Sequence, residues 1–123
     1  FTVLKEMVRE VGPEPGERAD VTIGQLVARL KTLRRMSLGV GGLLDDGKSP
    51  VTEAALVKEV GTRYEREVVE GARQLLPARP QGQAPDPYGA ALADGILHVP
   101  SATIRGGTNE VLRGIVAREL GLR

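Results

Sequence analysis

Apolar residues recur at helical spacing through most of the chain. Phe1, Leu4, Met7, Val8 and Val11 fall on one face of an opening helix, with Lys5, Arg9 and Glu10 on the other. Gly12-Pro13-Glu14-Pro15-Gly16 ends it, because two prolines and flanking glycines cannot continue the i to i−4 ladder. The spacing predicts a long second helix from Val21 or Thr22, capped by Asp20. Its stripe runs through Ile23, Leu26, Val27, Leu30, Leu33, Met36 or Ser37, Val40 and Leu43. Glycines 39, 41 and 42 weaken its last turns or let a neighbouring helix or ligand come close, and Asp45-Asp46-Gly47 makes a turn.

Ser49-Pro50 reads as a hydroxyl cap followed by proline at the first helical position. The third helix then runs to about Leu76. Val57, Val60, Gly61, Tyr64, Val68, Ala72 and Leu75 form its apolar face, and Lys58, Glu59, Arg63, Glu65, Arg66, Glu67, Glu70 and Arg73 a charged, solvated one. Residues 77–87 read as a loop. Asp86-Pro87 repeats the cap-then-proline signal and opens a helix to about Leu97, which Pro100 closes. Thr108 or Asn109 caps a last helix with the stripe Val111, Leu112, Ile115, Val116 and Leu120, ending at Gly121. No segment alternates with period two. The expected fold is all-α, an antiparallel four-helix-type bundle occupying residues 1–123 as one domain.

Composition narrows this picture. A chain of 123 residues buries roughly 65% of its unfolded surface, enough for a core without staples. Cysteine is absent, which excludes disulfides, thiolate metal sites and cysteine nucleophiles. With 17 Lys+Arg against 16 Asp+Glu there is no basic excess of the kind a nucleic-acid binder shows. No apolar run is long enough to span a bilayer, so a soluble, cytoplasmic setting is expected. Phe1 already belongs to the first helical pattern, which reads as an excised piece of a larger protein.

The chemistry concentrates in residues 103–118. An irregular segment carries the pair Gly106-Gly107, then a hydroxyl cap, then an amphipathic helix. Glycines let backbone N–H groups approach a ligand, and a helix N-terminus adds unpaired donors and the positive end of its dipole. The same pattern also serves as a plain turn before a helix.

This segment resembles the last helix of flavin-dependent acyl-CoA dehydrogenases, which carries a Gly-Thr-Asn-Glu-Ile type motif. The matching residues are Gly107-Thr108-Asn109-Glu110-Val111, then Arg113, then Ile115-Val116-Ala117-Arg118. Ser49-Pro50, Ala54-Ala55 and Lys58 resemble, more loosely, the start of the preceding long helix. The resemblance implies the C-terminal helical domain of a larger flavoprotein subunit. There it would complete a cleft with an N-terminal helical domain and a middle β domain, in a homo- or hetero-oligomer. It implies FAD as cofactor, contacted by Gly107, Thr108, Asn109 and Glu110, and an acyl-CoA thioester substrate lined by Arg105 and Gly106.

The chain departs from the family's pattern at informative places. Many members carry the glutamate base immediately before the Gly-Thr pair, where Gly106 stands here, so no catalytic residue is assigned to this chain. Members with the base on an earlier helix direct attention to Glu6 and Glu10. The family's Arg-x-x-Phe-Gly segment is not recognisable near Arg9-Glu10-Val11-Gly12. Gly95-Ile96-Leu97-His98-Val99-Pro100 replaces its Gln-x-x-Gly-Gly-x-Gly segment. These departures resemble members that work as mixed-subunit assemblies.

The remaining candidates read as structural. His98, the sole histidine, has no predicted partner, Asp45 and Asp46 shape a turn rather than bind a metal, Tyr64 belongs to core or interface, and Arg34-Arg35 face solvent.

Overall fold

A computed structural model describes residues 1–76 and 86–122. Five helices follow in order: α1 (Thr2–Val11), α2 (Glu17–Asp45), α3 (Val51–Leu75), α4 (Pro87–Ala102) and α5 (Asn109–Glu119), and there is no strand among the described residues. The all-α reading from the 3.6-residue periodicity therefore holds. None of these helices is long and apolar enough to cross a membrane.

α2 and α3 form an antiparallel hairpin, with 29 residues of α2 extending about 43 Å. Its turn is a Schellman motif: Lys48 N donates to Leu43 O and Gly47 N to Leu44 O, both at 2.9 Å. The same motif ends α5, where Leu122 N reaches Ala117 O and Gly121 N reaches Arg118 O. α3 is the hub, touching α1, α2, α4 and α5.

The core lies towards one end of the hairpin. It joins Val3, Leu4 and Met7 of α1, Leu26 of α2, Val68, Val69 and Ala72 of α3, and Tyr88 and Leu92 of α4. Met7 is 0% exposed. With so few aromatics, aliphatic side chains supply most of the burial, each Val, Leu or Met worth about 1.5–3 kcal/mol when fully covered. The other end of the hairpin stays outside this core, leaving Leu38, Leu44, Val51 and Leu56 exposed. The predicted α2 stripe is at least half-buried at every position, through Met36 rather than the exposed Ser37.

Several predicted boundaries shift. α2 begins at Glu17 with Gly16 as its N-cap, Ala19 and Asp20 both donating to Gly16 O, so Asp20 is inside the first turn rather than capping it. Nothing after Gly16 breaks a helix, and Glu17 and Asp20 suit the positive end of the dipole. At α3, Pro50 is the N-cap and Ser49 makes no side-chain cap. Asp86 likewise caps α4 without a side-chain hydrogen bond, although Pro87 does occupy the first turn. α4 continues past Pro100 to Ala102. A proline this close to a C-terminus forfeits one ladder bond, and the Ser101 and Thr103 hydroxyls satisfy the carbonyls of His98 and Pro100, both at 2.7 Å. Positions 39, 41 and 42 of α2 face open space, so those glycines permit no close approach of another element. The predicted loop falls largely on residues 77–85, outside the described residues.

Candidate functional site

The turn over residues 103–108 connects α4 to α5 and is held by both. Ile104 N and Arg105 N bond to Ser101 O at 3.2 Å, extending the end of α4. Gly106 and Gly107 then take φ of +66° and +103°, backbone that L side chains rarely adopt, and they redirect the chain into α5. Thr108 is extended and caps α5, its Oγ1 accepting from Val111 N at 3.4 Å.

Two consecutive residues of α3 grip this connection. Lys58 Nζ donates to Ala102 O, at the last residue of α4, at 2.9 Å and to Thr62 Oγ1 at 3.1 Å. Glu59, only 7% exposed, accepts at Oε1 from Arg113 Nε and Nη2 at 3.1 and 2.9 Å and from Arg63 Nη2 at 3.0 Å. The hydrogen bonds from Arg113 chiefly hold the Glu59 carboxyl below its ordinary pKa, with Arg63 adding to them against the opposing effect of burial. Glu59 thus belongs to the buried surface of α3 and not to the solvated face predicted for it. Ala55, Glu59, Thr62 and Val69 make a second buried stripe beside the main apolar one. The small residues at 55 and 62 were the signal in the sequence that this face is covered.

α3 separates two grooves. The larger, about 1050 Å³, runs between α2, α3, the end of α4 and the start of α5; Thr108, Asn109 and Glu110 line it together with Arg63, Arg66 and Arg113. The smaller, about 520 Å³, is bordered by Lys58, Thr62, Glu65, Arg105 and Gly106. Residues adjacent in sequence are therefore divided: the predicted cofactor residues Thr108, Asn109 and Glu110 face one groove, and the predicted substrate residues Arg105 and Gly106 the other. Gly107 lines neither and packs towards Leu112, which lies 3.6 Å from the place its Cβ would take. Glu6 and Glu10 border neither groove, and Glu6 pairs with Arg9 at 2.9 Å on α1.

Within the larger groove, Asn109 is 7% exposed and its Oδ1 is buried without a hydrogen-bond partner. A buried amide oxygen left unpaired costs about 1–3 kcal/mol. The place therefore favours a ligand carrying an N–H or O–H. Glu110 is exposed, and its carboxyl is held below the ordinary value, first by its own backbone N–H and then by the Thr108 hydroxyl. Arg29, Arg63, Arg73 and Arg113 of this groove are paired with Glu67, Glu59 and Glu70, which leaves Arg66 to suit phosphate oxygens. An acceptor for a ring N–H or sugar hydroxyl, an arginine donor and a helix N-terminus fit the groups that a flavin dinucleotide presents.

The other candidates border neither groove. Tyr64 is half-buried against the core, and burial, aided by the Glu67 charge, raises its hydroxyl pKa. His98 has a partner the sequence reading missed: Asp94, one turn earlier, lies 3.1 Å from its Nδ1 on an exposed face. Asp45 ends α2, Asp46 caps it, and no acidic or histidine cluster suited to a metal ion occurs among the described residues. Arg34 and Arg35 are exposed on α2.

A family model described as acyl-CoA dehydrogenase, C-terminal domain, matches residues 19–121. No curated protein and no solved structure matches the chain.

Proposed function

Because this chain belongs to the acyl-CoA dehydrogenase family, we propose that it forms one wall of the cleft in which a larger, cytoplasmic flavoprotein of lipid metabolism desaturates an acyl-CoA thioester between its α and β carbons. The observation that carries this reading is Asn109, whose buried, unpartnered amide oxygen lies at the start of α5 in an arginine-rimmed groove. The chemistry that FAD would supply here is an acceptor for the hydride that leaves the β carbon. Asn109 Oδ1 and the start of α5 would orient that cofactor. Arg66, which lines the same groove, would supply positive charge towards phosphate.

The proton on the α carbon needs a base. Gly106 has no side chain to take it. Glu110 is a poor acceptor, because hydrogen bonds from its own backbone N–H and from the Thr108 hydroxyl lower the pKa of its carboxyl. The base therefore comes from outside this turn, and the N-terminal and middle domains of the parent subunit, or another subunit of a homo- or hetero-oligomer, complete the site. Gly106 also favours a second reading, a non-catalytic helical module that pairs with a base-bearing dehydrogenase subunit. Activity restored by co-expression and dependent on a glutamate of the partner supports that second reading.

The test of the first reading is flavin occupancy of the full-length protein that carries this chain. Asn109→Ala should lower the flavin retained on purification, measured by its visible absorbance, and unchanged retention would defeat the assignment. The 123-residue polypeptide alone is expected to hold no flavin and to turn over no acyl-CoA. Stoichiometric FAD on it would contradict that expectation.

A further inference from the structure

We propose that Lys58 and Glu59 together act as a positioning clamp, fixing the 103–108 turn from both ends and so setting where Asn109 and Glu110 stand in the larger groove. Lys58 holds the end of α4 through Ala102 O at 2.9 Å, and Glu59 holds the second turn of α5 through two nitrogens of Arg113 at 2.9 and 3.1 Å. Because neighbouring helical residues point about 100° apart, one residue pair reaches two different elements. Between those anchors lie two glycines at positive φ, the most deformable backbone in the connection. A Cβ added at Gly106 would meet only the Lys58 stem, at 3.8 Å, and one at Gly107 only Leu112, so no other side chain packs tightly over the glycine pair.

The chemistry of the grip suits positioning. The arginine fork is planar, so two bonds to one carboxylate fix direction as well as distance. Arg63 meets the same Oε1 from within α3, which holds the carboxylate on its own helix while Arg113 approaches from α5. Lys58 shares its ammonium between the Ala102 carbonyl and the Thr62 hydroxyl, and Thr62 in turn donates to Lys58 O at 2.7 Å. The lysine rotamer is thereby tied to the α3 backbone. Neither residue needs to touch a ligand; each acts through the turn it holds.

The flavin part of this inference rests on the function proposed above, whereas the mechanical part does not, and the experiment separates them. In the full-length protein, hydrogen–deuterium exchange of the amides of residues 106–112 and flavin affinity from a fluorescence titration are measured for Glu59→Gln, Lys58→Met and Asn109→Ala. Faster exchange confined to that segment in Glu59→Gln and Lys58→Met, with flavin affinity lowered about tenfold, supports the clamp. Exchange unchanged in both variants overturns it. Faster exchange with flavin affinity intact, while Asn109→Ala does weaken flavin, also overturns the positioning role. If Asn109→Ala leaves flavin affinity unchanged, the flavin reading of the groove falls and the exchange rates alone decide the clamp. Should Glu59→Gln fail to fold, Arg113→Lys, which keeps the charge but lacks the planar fork, gives the same pair of measurements.

Discussion

The hydroxyl of Tyr88 in α4 donates to the carbonyl of Ala72 in α3 at 2.8 Å, across sixteen residues of chain and inside the core. Ala72 O already accepts the helical bond from Leu76 N at 3.0 Å, so the tyrosine adds a second bond to an oxygen with two lone pairs. The ring is 2% exposed and packs beside Met7 and Leu92. Tyr88→Phe should therefore cost only about 1 kcal/mol, while Tyr88→Ala, which empties a core position, should cost about 3–5 kcal/mol. Urea unfolding followed by far-ultraviolet circular dichroism measures both. Equal costs for the two variants would show that the hydroxyl and not the ring holds α4 in place.

Gly95 marks where α4 comes closest to its neighbours. A Cβ at this position would stand 2.9 Å from Val3 Cγ2 and 3.1 Å from Val69 Cγ2, both on short, buried side chains with little freedom to move. Alanine gains about 1 kcal/mol of helix propensity over glycine, but overpacking costs about 1–3 kcal/mol. Gly95→Ala should be neutral to destabilising by about 2 kcal/mol. Gly24→Ala faces open space and should stabilise by up to about 1 kcal/mol. The melting temperature should rise for Gly24→Ala and stay level or fall for Gly95→Ala, and a rise in both would contradict the tight α1–α4–α3 packing.

Thr108 accepts from Val111 N, and its hydroxyl helps to lower the pKa of the Glu110 carboxyl. The 3.4 Å cap bond is long, so Thr108→Val should cost about 0.5 kcal/mol, the low end for a lost N-cap. The same change should raise the Glu110 pKa towards its ordinary value, partly and not fully, because the backbone N–H remains the larger cause of the depression. Carbon-13 titration of the Glu110 carboxyl tests this. An unmoved pKa would place the Thr108 hydroxyl elsewhere.

Glu59 should leave its mark on acid stability. Its carboxyl has a lower pKa folded than the ordinary 4.5 of the unfolded chain. Between those two values the unfolded state binds more protons, so the contribution of Glu59 is complete above about pH 4.5 and is lost as pH falls through the folded pKa. Glu59→Gln keeps an acceptor but removes the charge, and should cost about 1–2 kcal/mol at neutral pH, the lower part of the range because the arginine partners are more than half exposed. Urea midpoints measured from pH 6 to 3 should therefore decline less steeply in the variant than in the parent sequence. Parallel declines would mean that the Glu59–Arg113 pair does not persist in solution.

Helix existence and type were legible because they depend on periodicity within one segment. Met7, Leu26, Val68 and Ala72 declared themselves by spacing, and Gly12, Gly47 and Gly121 by punctuation. The starts of α2 and α3 and the end of α4 were less so, since local signals such as Asp20 or Pro100 carry too little energy to override neighbours that favour helix. Glu59 was misread for a different reason. Its partner Arg113 is 54 residues away, and no local pattern on α3 encodes a cation arriving from α5.

The sequence by itself determined that this protein is helical, where most of its helices lie, which family it belongs to and that Gly106 offers no proton acceptor. Those properties reside in single segments. Only the tertiary structure decided that Arg105 and Gly106 face one groove while Thr108, Asn109 and Glu110 face another, and that Asn109 is buried with its amide oxygen unpaired. The physical reason is that the turn is placed against α3 by Lys58 and Glu59, whose partners Ala102 and Arg113 lie 44 and 54 residues away, beyond the reach of any local pattern.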